Sequence, residues 1–103
     1  MRERVPGAVY HYCSDNLNFP YGTKSEDEVV RCALRAAELF IDRCALDMLV
    51  VACNTMSTVA LPTLRARWSI PVVGVVPAIK PAAAASKSRI IGLLATPGTV
   101  ARR

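Results

Sequence analysis

Three consecutive residues, Cys53, Asn54 and Thr55, join a thiol to two short hydrogen-bonding side chains. The apolar run 47–52 before them predicts a buried strand, and the stretch after them predicts a helix. A cysteine at such a junction lies beside unpaired backbone N–H groups and the positive end of the helix dipole, which favour the thiolate. We therefore interpret Cys53 as a base or nucleophile, in a turn whose amides could hold a small carboxylate. The alternative is a small buried residue at a strand end.

The other cysteines, Cys13, Cys32 and Cys44, do not extend this chemistry. No two of the 4 cysteines have C-x-x-C spacing, so the sequence predicts neither a zinc site nor a redox dithiol. Cys32 and Cys44 fall within a helical pattern and are expected to pack as small apolar groups. We predict no metal ligand in this chain.

Two further loops carry candidate binding residues. In the loop 14–24, Pro20, Tyr21 and Gly22 follow one another, a turn that brings a phenol and an approachable backbone to the surface. The loop 96–99 has the sequence Thr-Pro-Gly-Thr and follows an apolar run. Both loops come after segments that predict strands, as Cys53 does.

The segments around these loops alternate between strand and helix. Strands are predicted at 8–13, 47–52, 70–76 and 89–95, and helices at 25–44, 53–61, 62–68 and 77–86. Ser25 and Glu28 form a capping box, whereas Pro62 is expected to end one helix and begin a short second one. This alternation is typical of an α/β fold with a doubly wound parallel sheet, in which ligands bind at the carboxyl ends of the strands. The three loops should therefore share one edge of the sheet.

Composition excludes several other functions. The net charge is +5, but the basic residues are scattered along the chain instead of clustered as in nucleic-acid-binding proteins. No apolar run approaches the roughly 18 residues that span a bilayer, and no signal-peptide core follows the N-terminus. We expect a cytoplasmic protein that has no nucleic-acid partner and no membrane partner.

Four blocks of sequence together resemble the glutamate racemases of the aspartate/glutamate racemase family. They are Asp15-Asn16 with Phe19-Pro20-Tyr21-Gly22-Thr23-Lys24-Ser25, Val51-Ala52-Cys53-Asn54-Thr55, the run 70–80 (IPVVGVVPAIK) and the run 95–100 (ATPGTV). The resemblance extends from about residue 10 to the end of the sequence, with the blocks in the family's order. The cysteine block alone would indicate only the wider family.

The resemblance implies an enzyme that interconverts L- and D-glutamate without a cofactor and supplies D-glutamate for peptidoglycan. In the family two cysteines face each other across the substrate, and Cys53 matches the first of them. The positions that match substrate-contacting residues are Tyr21, Gly22, Asn54, Thr55, Thr96 and Thr99. The last two match a loop of the family's second domain.

The resemblance also implies a flavodoxin-like domain organisation that is incomplete here. Residues 1–76 match part of the first α/β domain, and residues 77–103 match the start of a second, similar domain. The family's opening strand with its Asp-Ser-Gly turn has no counterpart before Ala8, and the second cysteine is expected beyond Arg103. We therefore expect the isolated chain to be inactive. Glutamate is the expected substrate of the whole enzyme, and the resemblance is compatible with a homodimer of the full-length protein. The alternative is a non-catalytic anion-binding or interaction module.

Overall fold

The structure is a computed structural model that describes residues 5–101. A 3₁₀ helix at Tyr21–Thr23 precedes the longest helix, α1 (Glu26–Arg43), and strand β1 (Leu49–Val51) follows. Helix α2 (Asn54–Arg67) then leads to strand β2 (Val72–Gly74), helix α3 (Ile79–Ala85) and helix α4 (Pro97–Val100). The order of strands and helices is the alternation expected of an α/β protein.

Helix α1 begins at the predicted capping box. Ser25 Oγ accepts a hydrogen bond from the Glu28 N–H at 3.4 Å, and the Glu28 carboxylate accepts one from the Ser25 N–H at 2.9 Å. Hydrogen bonds from Ser25 hold the pKa of the Glu28 carboxyl below its ordinary value. The prediction of this helix start is confirmed, because the capping pattern depends only on residues close in sequence.

The sheet consists of β1 and β2, which pair in parallel with Leu49 opposite Val72 and Val51 opposite Gly74. Helix α2 is the crossover between them. Alternate side chains Leu49, Val51 and Val72 are buried, whereas Val50 is 44% exposed and therefore belongs to the more open face. A parallel pair joined by a crossover helix confirms the predicted α/β class.

The core lies between this sheet and helices α1 and α2. Its smallest members are alanines, of which Ala33 on α1 and Ala60 on α2 are 1% and 0% exposed. The complete buried cluster is Ala33, Ala37, Leu49, Val51, Ala60, Leu61, Leu64 and Val72. The core thus packs directly behind the strand that leads into Cys53.

Two predicted strands are wrong within residues 5–101. The segments 8–13 and 89–95 pair with no other strand, and most of their apolar side chains are exposed, as Val9 at 82% and Leu94 at 102% illustrate. Apolar, β-branched residues favour the pleated surface of a sheet, but a strand also requires a neighbouring strand that pairs with its backbone hydrogen-bonding groups. The described residues offer these two segments no such neighbour, so only the two central strands form.

The predicted break at Pro62 is also wrong, because α2 continues through it to Arg67. The proline removes one backbone donor, which would otherwise bond to the carbonyl of Thr58 four residues earlier. Pro62 is exposed, while Leu61 and Leu64 on either side are buried in the core. Packing of both halves on the same core holds the helix together across the missing bond.

The last part of the described chain is less packed. Helix α3 covers seven of the ten positions predicted for it, 77–86, and none of its residues is buried.

The domain boundary predicted between residues 76 and 77 falls between β2 and α3 and stays a prediction. Among residues 5–101, no helix combines the length and the apolar character that crossing a membrane requires.

Candidate active site

The three loops expected at one edge of the sheet meet at a cleft of about 720 Å³. Tyr21 and Gly22 line it from the first loop, Cys53 and Thr55 from the second, and Thr96 from the third. The remaining lining is largely apolar and comes from α1, β1 and the segment before the 3₁₀ helix. A small polar region therefore adjoins a mostly apolar cavity wall.

Two of the predicted binding residues do not line this cleft. Asn54 follows Cys53 directly but is exposed, and Thr99 is 9% exposed behind Thr96. The structure thus brings five of the seven predicted site residues onto the cleft surface and leaves Asn54 and Thr99 beside it.

Cys53 occupies the position before the first residue of α2. It has extended backbone angles, φ −106° and ψ 123°, and its carbonyl accepts the hydrogen bond of the Ser57 N–H at 2.8 Å. Its side chain makes no capping hydrogen bond and is half-buried. The backbone N–H groups of the first turn of a helix have no acceptor within that helix, so this thiol lies beside donors that an anion can use.

A chain of threonine hydroxyls joins the second loop to the third. The Thr55 and Thr96 Oγ1 atoms are 3.1 Å apart, and the Thr96 and Thr99 Oγ1 atoms are also 3.1 Å apart. Gly22 permits this arrangement, because a Cβ atom there would lie 2.6 Å from the Thr96 Cγ2 atom. The absence of a side chain at Gly22 lets Thr96, at the start of α4, lie against the 3₁₀ helix.

Tyr21 is held by an acidic residue of its own loop. The Tyr21 hydroxyl donates to Asp15 Oδ2 at 2.6 Å, and the Asn18 side chain donates to the same carboxylate at 2.8 and 2.9 Å. The hydrogen bond from Tyr21 is the main reason that the pKa of Asp15 is lowered. Burial, and then the hydrogen bond to Asp15, raise the pKa of Tyr21 well above its ordinary value. Tyr21 is therefore fixed as a neutral phenol at the edge of the cleft.

Comparison with known proteins identifies the group to which this site belongs. The family profile described as Asp/Glu/Hydantoin racemase matches residues 1–103. The chain belongs to the Asp/Glu/hydantoin racemase family. Among its curated relatives, the glutamate racemase of Actinobacillus pleuropneumoniae serotype 5b is 52% identical over 102 residues, and that of Glaesserella parasuis serovar 5 is 54% identical over 102 residues. These alignments cover 99% of this chain and 38% of each relative, so this racemase-family chain spans well under half of their length.

Solved racemase structures have the same arrangement of elements. Escherichia coli glutamate racemase, in complex with L-glutamate and the activator UDP-MurNAc-ala, superposes with a TM-score of 0.90 at 51% identity, over 98% of this chain and 38% of that one. Glutamate racemase from Aquifex pyrophilus gives a TM-score of 0.84 at 38% identity, over 96% of this chain and 39% of that one. The resemblance stated from the sequence is confirmed, and so is the flavodoxin-like α/β fold.

Asp15 and Asn18 are the members of this racemase-family site that the sequence analysis missed. Besides its side-chain bonds, Asp15 accepts the backbone N–H of Asn18 at 3.2 Å, three residues further on. An Asp followed by a turn that its own side chain closes is a recognisable local pattern, and here it lies just before Pro20 and Tyr21. That pattern could have identified Asp15 as the residue that orients the phenol.

We predict that Asp15→Asn lowers the free energy of unfolding at neutral pH, because an amide is a weaker acceptor for the Tyr21 hydroxyl. The pKa of Asp15 is lowered from its ordinary 3.8 in the folded state. Its carboxylate contribution is therefore fully present above the unfolded-state pKa and is lost as the pH falls through the lowered folded-state pKa. The stability gap between parent and variant should be constant from neutral pH to about pH 5 and should narrow below about pH 4. Urea unfolding of both proteins across this range measures it.

The matched control is Asp47→Asn, which neutralises an exposed carboxylate between α1 and β1. We expect the control to change stability much less than Asp15→Asn at neutral pH. A gap for Asp15→Asn that stays the same, or widens, below about pH 4 would contradict the assigned role of the carboxylate.

Proposed function

We propose that this chain carries one half of the active site of a glutamate racemase, with the thiol of Cys53 as one of two proton carriers. The observation that carries the proposal is the position of Cys53: a half-buried thiol at the end of β1 and the start of α2, on the wall of the cleft that Tyr21 and Thr96 also line. Membership of the racemase family, and a sequence identity of 52% to a glutamate racemase, support the choice of reaction.

The proposed chemistry is a proton exchange at the α-carbon of glutamate. The Cys53 thiolate takes the α-proton from one face, which leaves a carbanion on the substrate and a neutral thiol on Cys53. A second thiol, contributed by residues outside this chain, gives its proton to the opposite face and becomes a thiolate. One proton is removed and one is returned, so no oxidant, metal ion or cofactor takes part.

The polar groups around Cys53 are proposed to bind the carboxylates and the amino group of the substrate. The α-proton of an amino acid is a very weak acid, so its removal requires fixed donors that stabilise the developing charge. The first N–H groups of α2 supply such donors on the cleft side. The linked hydroxyls of Thr55, Thr96 and Thr99 add one more, because two of their three protons are used in the hydrogen bonds between them. Tyr21 donates its one hydroxyl proton to Asp15, so its oxygen is proposed to accept a hydrogen bond from the amino group of the substrate, and Gly22 contributes its backbone. Asn54 and Thr99 are proposed to complete this set from beside the cleft.

Several broader assignments belong to the same proposal. Residues 1–76 are assigned to a first α/β domain, and residues 77–103 to the start of a second that closes over the substrate. The biological role is the supply of D-glutamate for peptidoglycan, which controls cell-wall formation and shape. A cytoplasmic location and a homodimer of the full-length protein stay predictions.

The experiment is a graft into a complete relative. In this racemase chimera, the segment of Actinobacillus pleuropneumoniae glutamate racemase that aligns with this chain is replaced by the chain itself, to which it is 52% identical over 102 residues. We predict that the racemase chimera forms D-glutamate from L-glutamate without added pyridoxal phosphate, and that the isolated chain does not. A stereospecific assay for D-glutamate measures both.

Two results would contradict the proposal. A folded racemase chimera without activity would mean that this sequence lacks a working half-site and would favour an anion-binding or interaction module. Activity that depends on added pyridoxal phosphate would exclude the two-thiol mechanism.

A further inference from the structure

One buried hydroxyl close to Cys53 has no part in the proposed proton transfer. Ser57 is 4% exposed, and its Oγ atom donates a hydrogen bond to the carbonyl of Val51 at 2.9 Å. The same Oγ atom accepts the hydrogen bond of the Val75 N–H at 3.1 Å. Both of its backbone partners lie at the carboxyl ends of strands, one in β1 and the other just after β2. A single side chain therefore joins the two strand ends.

Gly74 provides the space that this hydroxyl requires. A Cβ atom on Gly74 would lie 2.9 Å from Ser57 Oγ and would overlap Leu61 Cδ1. Helix α2 can therefore lie close against the end of β2 only because residue 74 has no side chain. Beyond β2 the Ser57 hydroxyl takes over as the acceptor for the sheet's next backbone donor, Val75.

Ser57 is also tied to Cys53 through the backbone. Its N–H donates to the Cys53 carbonyl at 2.8 Å, and its hydroxyl holds the Val51 carbonyl two residues before Cys53. The short segment between Val51 and Ser57, which contains the thiol, is thus fastened at both ends by one residue. Rotation or sliding of α2 relative to β1 would have to break one of these bonds.

We propose that Ser57 is a positioning residue that sets the location of the Cys53 thiol relative to the two strand ends; the inference rests on the proposed role of Cys53. Ser57 touches neither the substrate nor the reacting atoms in this assignment. Without its hydroxyl, the Val51 carbonyl loses a buried partner and the Val75 N–H loses a part-buried one, and the start of α2 shifts to let water or other groups reach them. A displacement of about 1 Å in a catalytic group can lower a rate by about 10²-fold.

The kinetic test uses the racemase chimera, and the thiol test uses the isolated chain. Ser57→Ala is expected to lower kcat by about 10- to 100-fold, with a much smaller change in KM, because the thiol and not the binding groups is displaced. In the isolated chain without substrate, the rate at which iodoacetamide alkylates Cys53 should change by at least about threefold. This change is smaller than the change in kcat, because displacement of the thiol affects alkylation less than it affects the aligned proton transfer. Mass spectrometry of the Cys53 peptide measures that rate.

Two control variants separate positioning from stability. Thr58→Ala removes the neighbouring hydroxyl, whose one hydrogen bond within residues 5–101 is to the Asn54 carbonyl at 2.7 Å, and should leave kcat and the alkylation rate nearly unchanged. Arg31→Gly lowers helix stability at an exposed position of α1 and should lower the unfolding midpoint without an effect on kcat.

A Ser57→Ala variant that loses stability but keeps the parent kcat and the parent Cys53 alkylation rate would overturn the proposal. If Ser57→Ala does not fold, the isosteric pair Ser57→Thr and Ser57→Val decides the matter, because only the first keeps the hydroxyl. The threonine variant should have the higher kcat, and equal values would contradict the proposal. The alkylation comparison requires no racemisation, so it tests the positioning role even if the racemase chimera is inactive.

Discussion

Cys53→Ser is expected to lower kcat of the racemase chimera by roughly 10²–10⁴-fold, the usual contribution of a positioned proton-transfer group. A serine hydroxyl is close in size to the thiol, but it is a far weaker acid and supplies almost no anion near neutral pH. The variant keeps the junction of β1 and α2, since the side chain of Cys53 makes no capping hydrogen bond that serine would have to reproduce. The measurement is D-glutamate formation from L-glutamate by the purified variant.

Cys44→Ser is the matched control for this loss. Cys44 is also a half-buried cysteine, but it lies at the end of α1, and its backbone N–H bonds to the Phe40 carbonyl whatever its side chain is. We expect Cys44→Ser to keep kcat close to the parent value. Full activity of Cys53→Ser, or an equal loss in both variants, would remove the basis for assigning the proton transfer to Cys53.

Leu64→Ala should have the largest effect on stability, with a decrease of about 2–5 kcal/mol in the free energy of unfolding. Leu64 is 1% exposed and belongs to the cluster between α1, α2 and the sheet. Truncation removes apolar surface from the core and leaves a cavity, because alanines 33 and 60 nearby are too small to fill it. Small domains are stable by only about 5–15 kcal/mol, so this change removes a large share. Urea unfolding followed by circular dichroism measures it.

Leu39→Ala provides the same chemical change at a helix position that is 50% exposed. The effect there should be under about 1 kcal/mol, since little apolar area leaves the protein interior and alanine favours helix. Similar losses in the two variants would mean that the cluster around Leu64 is not the core that supports the Cys53 junction.

The sequence by itself determined the features that depend on neighbouring residues. The capping box of Ser25 and Glu28 is formed by side chains three positions apart, so the sequence pattern alone is enough to predict its hydrogen bonds. The junction at Cys53 was predictable for a similar reason, because an apolar, β-branched run and a helical pattern meet there without a gap. The strand-end rule then placed Cys53 at the carboxyl edge of the sheet, because it closely follows β1. Tyr21 and Thr96 line the same cleft although the segments before their loops form no strands.

Only the tertiary structure decided the features that depend on residues distant in sequence. Segments 8–13 and 89–95 have the composition of strands, but a strand exists only where another strand pairs with it, and composition does not state which partners are present. Helix α2 continues through Pro62 because Leu61 and Leu64 pack on one core, a gain that local preferences do not contain. The Ser57 hydroxyl joins Val51 to Val75 over separations of six and 18 residues. Such contacts form because the fold excludes water around a buried polar atom, which must then find its partners within the protein.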